Sequence, residues 1–276
     1  MNNLPITIVI PCSNDLLIER CIRSIDESLE VVVSLNNPTQ AVRNILKKFP
    51  DVKTVETAKK GIALAYNNGI KATSNDWILL MDSDCIFEKK AIYEMWKIAK
   101  EYKVVKGRIV FSSKGYVSKV VAKLREFTTS DTVNAYSPPL LFDKKIVDKI
   151  GYYFNPKLVW SEDADFNNRV QKNNIKIGFA KDGIIYHKNL TFKEDLRSAF
   201  YYGVGRQIGK EIGVYKPHTL KSFSKNIIFS ITNAYKILIN KKSLAVAVYY
   251  FFFWNIFFRF GTYSQYLFKI IDYEKI

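Results

Sequence analysis

Through the first eighty residues, short apolar runs alternate with stretches of helical apolar spacing, and that alternation is what most narrows the fold. An apolar run at 6–10 is closed by Pro11 and followed by helical spacing over 16–25. Apolar 31–35 precedes a helical 41–49, a weak strand at 52–55 precedes a helical 62–72, and Trp77-Ile-Leu-Leu-Met81 is apolar at every position. Strands buried on both faces read as unbroken apolar runs, and the helices between them supply the crossovers. The pattern therefore predicts an α/β chain, a mostly parallel sheet flanked by helices, with ligands beyond the carboxyl ends of its strands. After residue 84 the regularity loosens into a helix over 88–101, a strand over 104–111, a mixed stretch to Tyr136 and a loop at Pro138-Pro139. A helix over 163–172, a strand pair at 175–180 and 183–187, and only helices from Phe192 complete the expectation. A chain of 276 residues suits one such domain with an appendage.

The apolar strand ending at Met81 runs straight into Asp82-Ser83-Asp84. If strand geometry persists, Asp82 and Asp84 point the same way and offer two hard oxygen ligands, which suit Mg²⁺ or Mn²⁺ together with substrate phosphates. The alternative is a solvated turn, where Asp and Ser bond their own backbone. Trp160-Ser-Glu-Asp-Ala-Asp165 places three carboxylates at a helix start, where the dipole favours negative charge. Those carboxylates are either structural or include a general base for an acceptor hydroxyl. His187 ends an apolar strand and is either a satisfied structural residue or a metal ligand; His218, in a loop after Pro217, carries no comparable signal.

The net charge is +16, from 42 Lys and Arg against 26 Asp and Glu, which points to an anionic partner. Residues 188–276 hold 14 basic and 5 acidic side chains, so the last third of the chain carries more than half of the excess. Cys12, Cys21 and Cys85 lack paired or metal-ligand spacing and read as buried thiols in a reducing compartment. The amino terminus shows no basic start followed by a long apolar core, so a position on the cytoplasmic side is expected.

The order of these features resembles the family-two glycosyltransferases with the GT-A nucleotide-diphospho-sugar transferase fold, over about residues 5–190. Residues 6–11 followed by Ser13-Asn14 resemble the family's opening strand and base-binding loop, and Gly61-Ile-Ala-Leu-Ala-Tyr-Asn67-Asn-Gly69-Ile resembles its segment before the metal strand. Asp82-Ser83-Asp84 looks like its Asp-x-Asp metal motif, and Ser161-Glu162-Asp163 like its Glu-Asp motif. The resemblance implies inverting transfer from a nucleotide diphosphate sugar, UDP-linked, with Asp163 as catalytic base and Mn²⁺ or Mg²⁺ held by Asp82, Asp84 and His187. It implies donor and substrate contacts from Pro11, Ser13, Asn14, Asn67, Asp82, Ser83 and Glu162. It also implies a division into donor and metal binding over 1–111, an acceptor side over 112–190 and a helical extension over 191–276.

Two departures bear on the donor. Val31-Val-Val-Ser-Leu-Asn36-Asn37 stands where the family shows an acidic pair, leaving Asn36 or Asn37 to bond a uracil edge or ribose. Tyr66 stands where arginine is common, with Lys60 either a substitute contact or solvated surface. The Gln-x-x-Arg-Trp pattern of processive synthases is absent, which favours transfer of one sugar to a glycan or lipid-linked hydroxyl in cell-surface polysaccharide or glycoconjugate synthesis.

Between Arg197 and Arg259 there are ten basic residues and one acidic residue, and Tyr249-Tyr-Phe-Phe-Phe-Trp-Asn-Ile-Phe-Phe258 has eight aromatics in ten positions. The apolar block over 244–258 is short for a span, which needs about 20 residues. Basic flanks at Lys241, Lys242 and Arg259 suit a helix lying on an anionic membrane, peripheral on the inner face of the cell membrane. Packing on the catalytic domain or a homodimer interface is the alternative. A nucleic-acid-binding module fits the charge but not the aromatics, which form one contiguous block instead of a spaced platform. A catalytically silent scaffold of the same fold is disfavoured by intact Asp82, Asp84 and Asp163.

Overall fold

The computed structural model describes residues 4–57, 59–216 and 220–273, leaving aside the side chains of 220–227; His218 lies outside the described residues. Its strands are β1 (Ile6–Cys12), β2 (Glu30–Asn36), β3 (Lys53–Thr57), β4 (Trp77–Leu80), β5 (Cys85–Phe87), β6 (Val104–Phe111), β7 (Leu140–Asp143) and β8 (Ile177–His187). Its helices are α1 (Ile18–Arg23), α2 (Gln40–Leu46), α3 (Ile62–Lys71), α4 (Ala91–Ala99), α5 (Gly115–Glu126), α6 (Val147–Ile150), α7 (Glu162–Lys172), α8 (Phe192–Glu211), α9 (Leu220–Lys241), α10 (Leu244–Val248) and α11 (Asn255–Phe268).

One eight-stranded sheet runs in the order β3-β2-β1-β4-β7-β6-β8-β5. β7 pairs antiparallel with β4 and β6, β5 pairs antiparallel with β8, and the remaining strands are parallel. The expected alternation holds through β4 because β1, β2 and β4 are buried on both sides, while β3 is a more exposed edge strand. Ile6, Ile8 and Ile10 of β1 enter one core with Val33, Leu79 and Met81, while Val9 enters the opposite core with Tyr66, Ile78, Phe142 and Phe166. Chain order reverses at β1, which has β2 on one side and β4 on the other, so the ends of β1 and β4 frame the crevice where such sheets bind ligands.

Several expectations change. The pair at 175–180 and 183–187 is one strand, β8, whose two halves both pair with β6 across an irregularity at Gly107/Arg108. The mixed stretch before Tyr136 contains α5, which continues as a π-helical turn over Phe127–Asp131. The apolar block of the tail is not confined to fifteen residues. α10, a π-helical turn at Tyr249–Trp254 and α11 join into one helix, Leu244–Phe268, of 25 residues, long and apolar enough to cross a membrane by length and composition.

Contacts tie the helices after residue 190 to the elements before it. Arg125 of α5 makes a buried ion pair with Asp195 of α8, and Asp195 also accepts from the Tyr249 hydroxyl at 2.5 Å. α8 and α11 meet backbone to backbone: a Cβ added at Gly203 would lie 1.8 Å from the Phe258 carbonyl oxygen, and one at Gly261 would lie 1.9 Å from that of Phe200. Thr262 donates to the Gly203 carbonyl at 3.1 Å across this seam. Lys241, expected to face lipid, is instead spent on Glu126 at 3.6 Å and Asp131 at 2.9 Å.

Candidate active site

The loop after β1, the end of β2, the start of α3 and the acidic turn after β4 enclose an open cavity of about 320 Å³. Pro11, Ser13, Asn14, Asn36, Asp82, Ser83 and Asp84 line it, so these expected residues do come together. Asn36 also tethers the entry to α3, because its Nδ2 donates to the Lys59 carbonyl at 2.6 Å and its Oδ1 accepts from the Gly61 N–H at 3.2 Å. Asn37, with φ of 51°, accepts from the Ser13 hydroxyl through its carbonyl at 3.4 Å. Lys60 is exposed and does not line the cavity. Asn67 is elsewhere as well, because both of its amide atoms are engaged by the Phe154 backbone, at 2.7 Å and 3.2 Å.

Strand geometry does not persist past Leu80, so Asp82 and Asp84 do not point the same way. The Asp82 carboxylate turns towards α3, where its Oδ1 accepts from the hydroxyl of Tyr66, which is 2% exposed. Asp84 turns towards β8: its Oδ2 lies 3.5 Å from His187 Nε2 and 3.1 Å from Lys188 Nζ. Burial, then the charge of Asp84, pushes the Asp82 carboxyl up to about 7. Ser83 donates to Asp15 at 3.1 Å, fixing the turn between the two carboxylates.

Asp84, His187 and Cys85 place ligand atoms within 4.8 Å of one another. His187 Nδ1 sits 2.9 Å from the Lys188 carbonyl, an acceptor, so Nδ1 carries a proton and Nε2 is the nitrogen facing Asp84. The imidazole Nε2 and the Asp84 carboxylate are a donor pair of the kind that a divalent cation can share. The oxygen and imidazole donors suit Mn²⁺, whereas the Cys85 thiol is held protonated by burial and by Asp82 and Asp84, and does not suit a hard ion. The residues present therefore fit a divalent cation on Asp84 and His187 with Asp82 behind them.

The second acidic cluster lies beside Asp82. Trp160 adopts φ of 61°, a costly conformation for a bulky residue, and is held by stacking on Tyr201 at 5.4 Å and edge-on against Tyr202 at 5.7 Å. That turn delivers Ser161, Glu162 and Asp163 to the start of α7. Glu162 is buried with no partner for Oε2, and burial followed by the charge of Asp163 pushes it up to about 8. Burial pushes Asp163 up to about 6, opposed by the Ala164 N–H, which donates to Oδ1 at 2.7 Å, and by Lys106. Asp165, a reserve candidate for the base, is instead structural: it pairs with Arg169 at 2.9 Å, which also holds the Ile150 carbonyl at 3.2 Å.

Lys106 is a site residue that the sequence motifs do not single out. It is fully buried, donates to the carbonyls of Tyr136 at 2.7 Å and Pro138 at 2.5 Å, and is pushed down to about 7 by burial against the pull of Asp163 and Asp82. A lone lysine in the otherwise apolar run Val104-Val-Lys-Gly was the available signal. Two residues of α8, Tyr202 and Arg206, also join the site. Tyr202 feels both Asp163 and Glu162, and Tyr136 feels both Asp163 and Arg206.

The sequence model of the Glycosyl transferase family 2 matches residues 7–154, more than half of the chain. The poly(ribitol-phosphate) β-N-acetylglucosaminyltransferase TarP of Staphylococcus aureus is 20% identical over 224 residues, which cover 77% of this chain and 67% of that one. The crystal structure of S. aureus TarS 1-349 superposes with a TM-score of 0.54 at 15% identity, covering 95% of this chain and 91% of that one. Glucosyl-3-phosphoglycerate synthase from Mycobacterium tuberculosis, solved with Mn²⁺, UDP and phosphoglyceric acid, superposes with a TM-score of 0.57 at 16% identity, covering 78% and 80%. A cavity at the switch of a mostly parallel sheet, an acidic turn at its mouth and a family match spanning both lead to one assignment: the chain belongs to the family-two glycosyltransferases and has the GT-A fold.

Proposed function

We propose that the protein transfers one sugar, with inversion, from a UDP-sugar to a hydroxyl of a glycan or lipid-linked acceptor. The observation that carries this reading is that Glu162 and Asp163 lie close enough to Asp82 to act on its charge, while Asp82 itself lines the cavity. Ser13, Asn14 and Asn36 offer hydrogen bonds to the base and ribose of the donor at the carboxyl end of β1 and β2. Asp82, Asp84 and His187 would hold Mn²⁺ or Mg²⁺, which when bound supplies positive charge to the diphosphate leaving group. Asp163 takes the proton of the acceptor hydroxyl as its oxygen attacks the anomeric carbon opposite the departing diphosphate. No side-chain nucleophile intervenes, so the configuration inverts. Lys106 favours the ionised form of Asp163 that this step requires.

The structural and sequence relatives support a nucleotide donor and a phosphate-bearing acceptor: UDP and phosphoglyceric acid in the Mycobacterium tuberculosis synthase, poly(ribitol-phosphate) for TarP. The tail supports work at an anionic membrane. Phe252, Ile256 and Phe260 are 56%, 56% and 61% exposed and recur every fourth residue along one face of the long helix. The opposite face is seated on α8, so the helix lies along the surface instead of crossing it, on the inner face of the cell membrane. A screen of nucleotide sugars for nucleoside diphosphate release, with and without Mn²⁺, tests the reading. Release dependent on one UDP-sugar and on metal is expected; release from none would remove the enzymatic assignment and favour a silent scaffold.

A further inference from the structure

α8 leaves the chemistry of the site with a basic end. Gly205 brings its backbone onto the loop before α7, since a Cβ there would lie 1.9 Å from the Val159 carbonyl oxygen. Tyr202 therefore reaches Glu162 and Asp163, Arg206 follows one turn later, and Lys210 one turn after that. Side chains four apart on a helix share a face, with Cβ atoms about 5–6 Å from each other. The Arg206 guanidinium is 3.8 Å from the ring centroid of Tyr215, whose hydroxyl donates at 3.1 Å to the carbonyl of Ser161, the residue before Glu162.

Nearby carboxylates are already committed. Asp195 is paired with Arg125, Asp165 with Arg169 and Glu211 with Lys269, and among the described residues none lies within ion-pair distance of Arg206. Burial and then the charge of Arg206 push the Lys210 ammonium down to about 8, so the two cations disfavour each other where they stand. A guanidinium packed over an aromatic ring still offers an N–H fork in its own plane, the geometry that grips a phosphate through two oxygens.

We propose that Arg206, with Lys210 beside it, forms a subsite for a phosphate group of the acceptor, one helical turn from the Tyr202 position that adjoins Asp163. The proposal rests on Asp163 being the base of the transferase reading. The spacing acts as a ruler: an acceptor whose phosphate sits on Arg206 extends past Tyr202 to place a hydroxyl a few bonds away at Asp163. It also makes α8 part of the catalytic unit, as the wall that selects anionic acceptors.

Titration of glycerol 1-phosphate into the full chain, with UDP and Mn²⁺ at saturation to fill the donor site, tests this by calorimetry. Saturable binding is expected in the parent, with glycerol giving none. Arg206→Gln is expected to weaken the phosphate probe at least about tenfold while UDP binds as before, and Arg206→Lys, which keeps the charge and loses the fork, to fall between. Equal binding of the probe to Arg206→Gln, or equal binding of glycerol, overturns the subsite. Failure of UDP to bind the parent with Mn²⁺ sinks the donor-site reading instead. The same probe titrated into the chain alone would then still decide for or against Arg206.

Discussion

The Tyr66 hydroxyl donates to Oδ1 of Asp82 at 2.9 Å, and it also contacts the Ser137 hydroxyl at 3.1 Å. A residue that stands where the family commonly has arginine thus orients the first carboxylate of the acidic turn from behind. Tyr66→Phe keeps the ring against Phe154, 5.1 Å away, and removes the hydroxyl's bonds to Asp82 and Ser137. Partners of this kind tune metal affinity by about 10- to 100-fold, so Mn²⁺ affinity should fall by that much with the fold intact. Titration of Mn²⁺ against the variant checks it, and unchanged affinity would separate Asp82 from the metal.

Asp84→Ala should abolish turnover, because it removes the carboxylate that faces His187 and leaves the diphosphate charge uncompensated. Asp82→Ala should be milder, since that carboxylate is held by Tyr66 and is pushed up to about 7 by burial. Turnover measured with and without a chelator decides the matter, with activity insensitive to chelation counting against any metal role.

Asp163→Asn should lower the rate by roughly 10²- to 10⁴-fold with UDP affinity kept, as when only proton transfer is lost. A base must be ionised, so transfer should climb with pH through about 6, the value to which Asp163 is pushed. Lys106 favours the ionised form, so its removal raises the Asp163 value further. In a pH profile of kcat, Lys106→Met should therefore move the acid limb to higher pH, whereas a purely structural lysine would lower the plateau and leave the limb in place.

Binding to anionic vesicles should weaken with salt without vanishing, because charge attraction is screened beyond about 8 Å at physiological ionic strength and apolar burial is not. Replacing Phe252, Ile256 and Tyr263 by Ser should remove the salt-resistant part at unchanged thermal stability, whereas Phe260 packs on Phe200. Trp254 is the wrong probe, because it stacks on Tyr250 and Phe258 and packs against Tyr202. Loss of stability in the triple variant, with no change in vesicle binding, would identify an interface between copies of the chain.

The half of the sheet around β1 was legible because strands covered on both faces are short, nearly continuous apolar runs, set off from the helical spacing between them. β5 was not, since three residues, Cys85 to Phe87, carry no period, and their pairing with His187 to Ile185 is set by β8. β7 hid behind Pro138-Pro139, where the prolines signalled a loop and the strand begins directly after them. Asp82, Asp84 and Asp163 could be named because acidic residues at element ends stand out. Their orientations could not, because they depend on Tyr66, Lys188 and Lys106, which are distant in the chain. Tyr202 and Arg206 were hidden for the same reason, with only the spacing of Gly203, Gly205 and Gly209 marking α8 as a helix pressed against other backbone.

At Gly203 and Gly261 there is no layer of side chains between α8 and α11 to slide or repack. The two helices behave as a single lever. A tilt of Leu244–Phe268 would therefore carry α8 with it, and with α8 the positions of Tyr202 and Arg206 beside the acidic cluster.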